Sequence, residues 1–203
     1  MQKAIKRIFI CFAAACIFWF GALIADRQKL NEELIRLHVV ANSDSASDQA
    51  VKLQVRDAVT ESLREALQGA ADVEEARQWL QSNLQLIQDI ANETLVRAGC
   101  SEQALVSLCK ETFDTRYYDT FTLPAGVYHA LRITIGEGAG KNWWCVAFPA
   151  LCVPATADGF EAAAASAGFS DSLNRTLTGK GEYEIRFFLL DALGRLENIF
   201  FLE

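Results

Sequence analysis

The sequence is poor in the residues from which most reactive sites are built. It has two histidines, one methionine and three prolines in 203 residues. Six cysteines are present but none forms a Cys-x-x-Cys pair. With His38 and His129 far apart as well, the usual ligand spacing of a zinc site is missing, and no metal is expected. Basic residues are the minority, 19 Lys and Arg against 26 Asp and Glu, for a net charge of −7. Residues 1–25 hold Lys3, Lys6 and Arg7 and no acid, so the remainder carries 16 basic against 26 acidic residues, a charge of −10. An acidic domain argues against general nucleic-acid binding, which depends on neutralising phosphates. Nucleotide motifs fail in detail. In Gly136-Glu-Gly-Ala-Gly-Lys-Asn142 the glycine spacing is one residue short of a phosphate-binding loop, and Asn142 stands where the magnesium-binding hydroxyl belongs. Lys141 occupies the last glycine of a G-x-G-x-x-G pattern. No cofactor and no small-molecule substrate are therefore expected, and no internal repeat is found.

What is present begins with a membrane signal. Residues 1–7 are basic, and Ile8 to Ala25 is an uncharged apolar run of 18 residues. That is enough to span a bilayer as a helix, with the basic flank in the cytoplasm and the rest exported. It reads as a signal peptide or an anchor. A cut after Ala25 or Ala22 would put Leu23 or Phe20 at the third position back, both bulkier than signal cleavage prefers, so slow or absent cleavage is expected.

The rest reads as an α+β domain, with a two-helix hairpin packed on a mainly antiparallel sheet. Leu34–Ala41 alternates as a strand, and Asn42-Ser-Asp-Ser-Ala-Ser47 caps the following helix or forms a polar binding loop. Val51, Val55, Val59, Leu63 and Leu67 mark one helical stripe. After Gly69, Asp72 and Glu75 open a second helix whose stripe, Val73, Ala76, Leu80, Leu84, Ile87 and Ala91, continues to Gly99. Trp79 is expected to add an exposed patch. Strands follow at Ala104–Thr112, Val127–Ile135 and Trp143–Phe148, with an aromatic connector at 116–121 and the glycine-rich stretch joining the last two as a hairpin. His38 and His129 read as structural histidines. The chain divides into 1–25, the membrane segment; 26–154, the core domain; 155–181, a small-residue linker in which Ala162–Ala165 form at most a weak helical turn; and 182–203, a strand at 182–187 followed by a helix, with Ile185, Leu189, Ala192, Leu196 and Ile199 at helical spacing.

The most unusual stretch is Gly136 to Cys152, with three glycines in five residues, then Trp143, Trp144, Cys145 and Cys152. A nucleophilic Cys145 with His38 or His129 as base would make a secreted hydrolase. A glycine turn leading into a buried strand is the plainer reading. Cys145 and Cys152 can be joined if the chain turns near Pro149, since a disulfide needs Cα atoms within about 7 Å.

Gly-Glu-Gly-x-Gly-Lys-Asn-Trp-Trp-Cys-Val-x-Phe-Pro-x-Leu-Cys resembles the signature of the stage II sporulation protein R family of endospore-forming bacteria. Two further blocks match in order: Ile35-Arg-Leu-His-Val-Val-Ala-Asn-Ser-Asp44 with Asp48–Asp57, and Leu123-Pro-Ala-Gly-Val-Tyr-His-Ala-Leu-Arg132. Ala150 departs, standing where the family is expected to carry a second proline. The resemblance implies a signalling protein and not an enzyme. Such a protein is exported from the forespore into the space between the two sporulation membranes. There it activates a membrane-embedded aspartic protease of the mother cell, which processes the precursor of an early mother-cell sigma factor. Candidate partner-binding residues are Gly136, Glu137, Gly138, Gly140, Lys141, Asn142, Trp143, Trp144, His38, Asn42, Ser43 and Asp44. Against this stands the reading in which Glu137 and Lys141 only solvate a turn and both tryptophans are core.

Overall fold

A computed structural model describes residues 2–118, 120–149, 169–179 and 184–201. Helix α1, Gln2–Glu32, leads into strand β1, Ile35–Val40. Three helices follow: α2, Ala46–Leu67; α3, Val73–Ser82; and α4, Leu84–Arg97. Then come β2, Ala104–Phe113; the short strands β3, Arg116–Tyr117, and β4, Thr122–Leu123; β5, Gly126–Ile135; and β6, Asn142–Phe148. Two C-terminal helices complete the described chain: α5, Asp171–Leu177, and α6, Glu184–Phe201.

The main sheet has the order β2-β5-β1-β6, with antiparallel outer pairs and a parallel β1–β5 pair at its centre. Alternation sorts the strand side chains onto two faces. Ile35, Leu37 and Val39 of β1 join Leu131, Ile133 and Ile135 of β5 under α2, α3 and α4. These helices contribute Val55, Val59, Leu63, Ala76, Leu80, Ile87, Ala91 and Leu95, all buried. Along the β2 edge, α4 also supplies acceptors: Gln88 takes the Val106 N–H and Asn92 the Ala104 N–H. Backbone donors of an edge strand are thereby paired within the chain.

The expected second helix is broken in two. Asn83 donates its backbone N–H to the carbonyls of Trp79 and Leu80, and its side-chain amide to Trp79 O at 2.8 Å. An Asn side chain that bonds local backbone competes with helix continuation, and the apolar stripe runs on across the break. Asp72 caps α3 as expected, accepting from the Glu75 N–H at 2.9 Å. Trp79 is half-buried against the core and forms no exposed patch.

The opposite face is covered by the two ends of the chain. Leu23 and Leu30 of α1, Leu173 and Leu177 of α5, and Leu190 of α6 bury Phe113, Tyr128, Ala130 and Val146. Helix α1 therefore runs unbroken across residue 25, and its last turns belong to the domain. Within 155–181, Phe169, Leu173, Thr176 and Leu177 are buried, so the described part of that segment is packed structure rather than linker. Ala162–Ala165 lie outside the described residues.

Glu184–Phe201 is helical, which overturns the strand expected at 182–187 over its described part. The face it buries is also different from the one read from spacing. Leu190 and Gly194 face the domain, while Ile185, Leu196 and Ile199 are exposed. Gly194 sets this orientation by allowing close approach: a Cβ there would lie 1.7 Å from the Ala125 carbonyl oxygen.

Candidate functional site

The glycine-rich stretch is not a hairpin. Strand β1 lies between β5 and β6, so residues 136–141 cross over the end of β1 instead of joining paired neighbours. In crossing, they meet the turn that leaves β1. The Ala139 N–H donates to Asn42 O at 3.0 Å, and the Gly140 N–H donates to Ala41 O at 2.9 Å. Side chains of the turn complete the brace. Asn42 Oδ1 accepts from the Glu137 N–H at 3.0 Å, and Asp44 Oδ1 accepts from the Lys141 N–H at 2.7 Å. Lys52, buried on α2, donates to Lys141 O at 2.9 Å.

The glycines are required by this crossing. Gly136 and Gly138 sit at φ +55° and +64°, where side chains are disfavoured. A Cβ on Gly140 would lie 2.2 Å from Ser43 O, a backbone atom that cannot swing aside. Asp48 secures the other half. It accepts from Ser43 Oγ at 2.6 Å and from Asn42 Nδ2 at 3.0 Å, and these bonds hold its carboxyl below the ordinary aspartate range. The result is one surface on which the side chains of Asp44, Glu137, Lys141 and Asn142 are exposed while the backbone beneath is fixed by hydrogen bonds.

Both tryptophans are half-buried and covered by the chain's own residues. Trp143 packs on the helical side beneath Arg56, whose guanidinium carbon is 4.2 Å from the ring centroid. Trp144 points to the other face and stacks on His38, with centroids 3.7 Å apart. His38 is itself buried, with Nδ1 2.9 Å from Glu111 Oε2. Of the expected partner-binding residues, the loop and Asn42, Ser43 and Asp44 are thus brought together, whereas His38 is placed inside the sheet layer behind Trp144.

Sequence reasoning missed the cations in this layer. Arg36 is fully buried, donates to Tyr118 Oη at 2.9 Å and to Cys145 O at 3.3 Å, and lies over the Phe113 ring at 4.4 Å. Among the described residues no carboxylate pairs with it. Glu111 is instead shared by His38 and Arg132. Burial pushes the Glu111 carboxyl up, but hydrogen bonds from those two groups outweigh it and hold the pKa below the ordinary glutamate range. The signal for this layer was the pairing of Arg36 and His38 on one face of β1, between apolar residues on the other.

The arrangement does not support a Cys–His nucleophile. Cys145 is disulfide-bonded, which leaves no thiolate. It lies on the helical face, opposite His38. His129 stands on β5, separated from β6 by β1; burial, then Lys110 and Arg77, lower its pKa. Cys11, Cys16, Cys100 and Cys109 are free, and Cys152 lies outside the described residues.

Residues 31–158 match the family described as stage II sporulation protein R. This chain belongs to the stage II sporulation protein R family. Among curated proteins it is similar to the stage II sporulation protein R of Bacillus subtilis (strain 168), 42% identical over 121 residues. That match covers 60% of this chain and 54% of the relative, so the chain spans about half the length of the curated relative it matches. No solved structure matches it. The family's matched region takes in β1, the crossing loop and β6, and stops short of α5 and α6. Helix α1 is the membrane-crossing candidate: its apolar window has a mean hydropathy of 2.5 and is only 6% buried. It fits a signal sequence or a membrane anchor.

Proposed function

We propose that this family member is an exported sporulation signal. It acts in the space between the two sporulation membranes, activates a membrane-embedded aspartic protease of the mother cell, and so triggers processing of an early mother-cell sigma-factor precursor. On this reading it is not an enzyme. It binds its receptor through the crossing loop and the turn after β1. The observation that carries the reading is the braced surface. Five hydrogen bonds, two between backbone groups and three involving Asn42, Asp44 and Lys52, fix a loop that presents Glu137, Lys141 and Asn142 to solvent. A loop rigid before binding loses little entropy on docking. A disulfide from Cys145 to Cys152 would tie the far end of β6 to the chain that follows it.

Co-expression with the protease and the sigma-factor precursor in a non-sporulating host tests the proposal. Precursor processing is expected only when the exported chain is present. Processing at the same rate without it, or with a chain held in the cytoplasm, overturns the reading.

A further inference from the structure

Helix α6 wears its apolar residues on the outside. Ile185, Phe188, Leu196, Ile199 and Phe200 are exposed at 71%, 67%, 52%, 57% and 74%. At about 100° per residue they fall on one side of the helix. The polar residues point inward and are used there. Arg186 pairs with Asp26 of α1. Asp191 accepts from Thr115 and from the Ala125 N–H. Glu197 accepts from Arg27 at 2.7 Å and from Asn31 at 2.9 Å, and Asn198 donates to Phe113 O at 2.9 Å. This is the reverse of a helix that shields a soluble core. Exposed apolar faces of this kind mark a surface that is covered in use.

We infer that α6 lies in the interface of the membrane that α1 enters, with this apolar face turned to the lipid. The position of α6 on the chain selects that occupant. Asp26 is the first charged residue after the apolar run that ends at Ala25, so it sits where the spanning helix emerges. Its partner is Arg186, which holds the start of α6 at the depth of the headgroups. Leu23, inside the apolar run, shares a buried cluster with Leu190 of α6. Helix α6 is thus packed against α1 at the end of the apolar run. With Glu184, Arg186, Asp191, Arg195 and Glu197 within 18 residues, α6 does not cross the bilayer; with its apolar residues gathered on one side it lies in the interface plane. The domain would then be held by two contacts, a span and a surface helix, which fixes its tilt on the membrane.

The test uses the full chain in vesicles of phosphatidylglycerol and phosphatidylethanolamine that contain a phosphatidylcholine with a diazirine on its acyl chain. After irradiation, lipid adducts are mapped by mass spectrometry. Adducts are expected on Phe188, Ile199 and Phe200 as well as on α1. In the L196E/I199E variant those on α6 should fall about tenfold or more, because two carboxylates resist entry into the apolar layer, while those on α1 persist. Both substituted side chains are exposed, and an unchanged circular-dichroism melting curve confirms that the variant folds. Adducts confined to α1, or α6 adducts that survive the double substitution, overturn the inference.

Discussion

On one face of the sheet, α2, α3 and α4 meet Ile35, Leu37 and Val39 with aliphatic side chains and little else. On the other, α1, α5 and α6 meet Arg36, His38, Phe113, Tyr128 and Trp144, and charged groups are held inside. The first face is built from chain-local helices whose apolar stripes need no outside help. The second is closed by the two ends of the chain, which meet each other through Asp26–Arg186 and Arg27–Glu197. Aliphatic packing gives the first face its stability. The second trades some of that for polar contacts that fix how α1 joins the domain.

Substitutions at adjacent β1 positions sharpen this contrast. Leu37 is fully buried on the helical face, and Leu37→Ala should cost about 2–5 kcal/mol, the range for large-to-small core changes. Urea unfolding of the detergent-solubilised chain measures it. A cost near zero would mean that this face is not the main source of stability.

The ion pairs that Glu111 makes with His38 and Arg132 on the other face should respond to pH. Glu111 has a lowered pKa in the folded state, so its contribution is present above the ordinary glutamate value of 4.5. It is lost as the pH falls through the depressed folded value. Glu111→Gln should cost about 1.5–3 kcal/mol at neutral pH, as expected for hydrogen bonds to a charged group. It should also flatten the acid limb of stability as the pH falls below 4.5. An acid limb as steep in the variant as in the parent would show that other carboxylates govern it.

Arg36, next to Leu37 but facing the other way, gives the smaller effect. Its burial carries a desolvation cost with no carboxylate among the described residues to offset it. Replacing a buried charge by an apolar group of similar length is often close to neutral. Arg36→Met should therefore shift stability by less than about 1.5 kcal/mol, clearly below Leu37→Ala in the same urea experiment. A loss as large as that of Leu37→Ala would make the Arg36 contacts to Tyr118 and Cys145 O a main support of this face.

The same contrast explains what the sequence made legible. Periodicity located α2 residue by residue, because Val55, Val59, Leu63 and Leu67 bury one stripe against a nearby strand. It also placed the four long strands. It failed at α6, where the stripe drawn through Ile185, Leu189, Ala192, Leu196 and Ile199 has three exposed members and misses the buried Leu190 and Gly194. It failed at the glycine loop for another reason. Two strands joined by a short turn usually pair, and nothing local to residues 136–148 says that β1 is inserted between them. Asn42 and Asp44 were visible as polar turn residues, but their bonds to the loop span 95 and 97 positions in the chain. Contacts of that range follow from strand order, which the sequence alone did not provide.

The smallest effect on stability belongs to the exposed surface, and there the functional contrast should be greatest. Glu137 and Lys141 are exposed, and the bonds that brace them use their backbone groups, not their side chains. The double variant Glu137→Ala, Lys141→Ala should therefore keep the loop in place and change stability by no more than about 0.5 kcal/mol. Gly140→Ala is the matching control. It leaves both charged side chains intact but drives a Cβ into Ser43 O, so it should displace the loop. If the receptor reads the polar side chains, the double variant folds normally and loses precursor processing in the co-expression assay, and Gly140→Ala loses it too. If the loop only solvates a turn, the double variant processes normally. Loss in Gly140→Ala alone would then assign recognition to the loop's backbone shape and remove Glu137 and Lys141 from the binding surface.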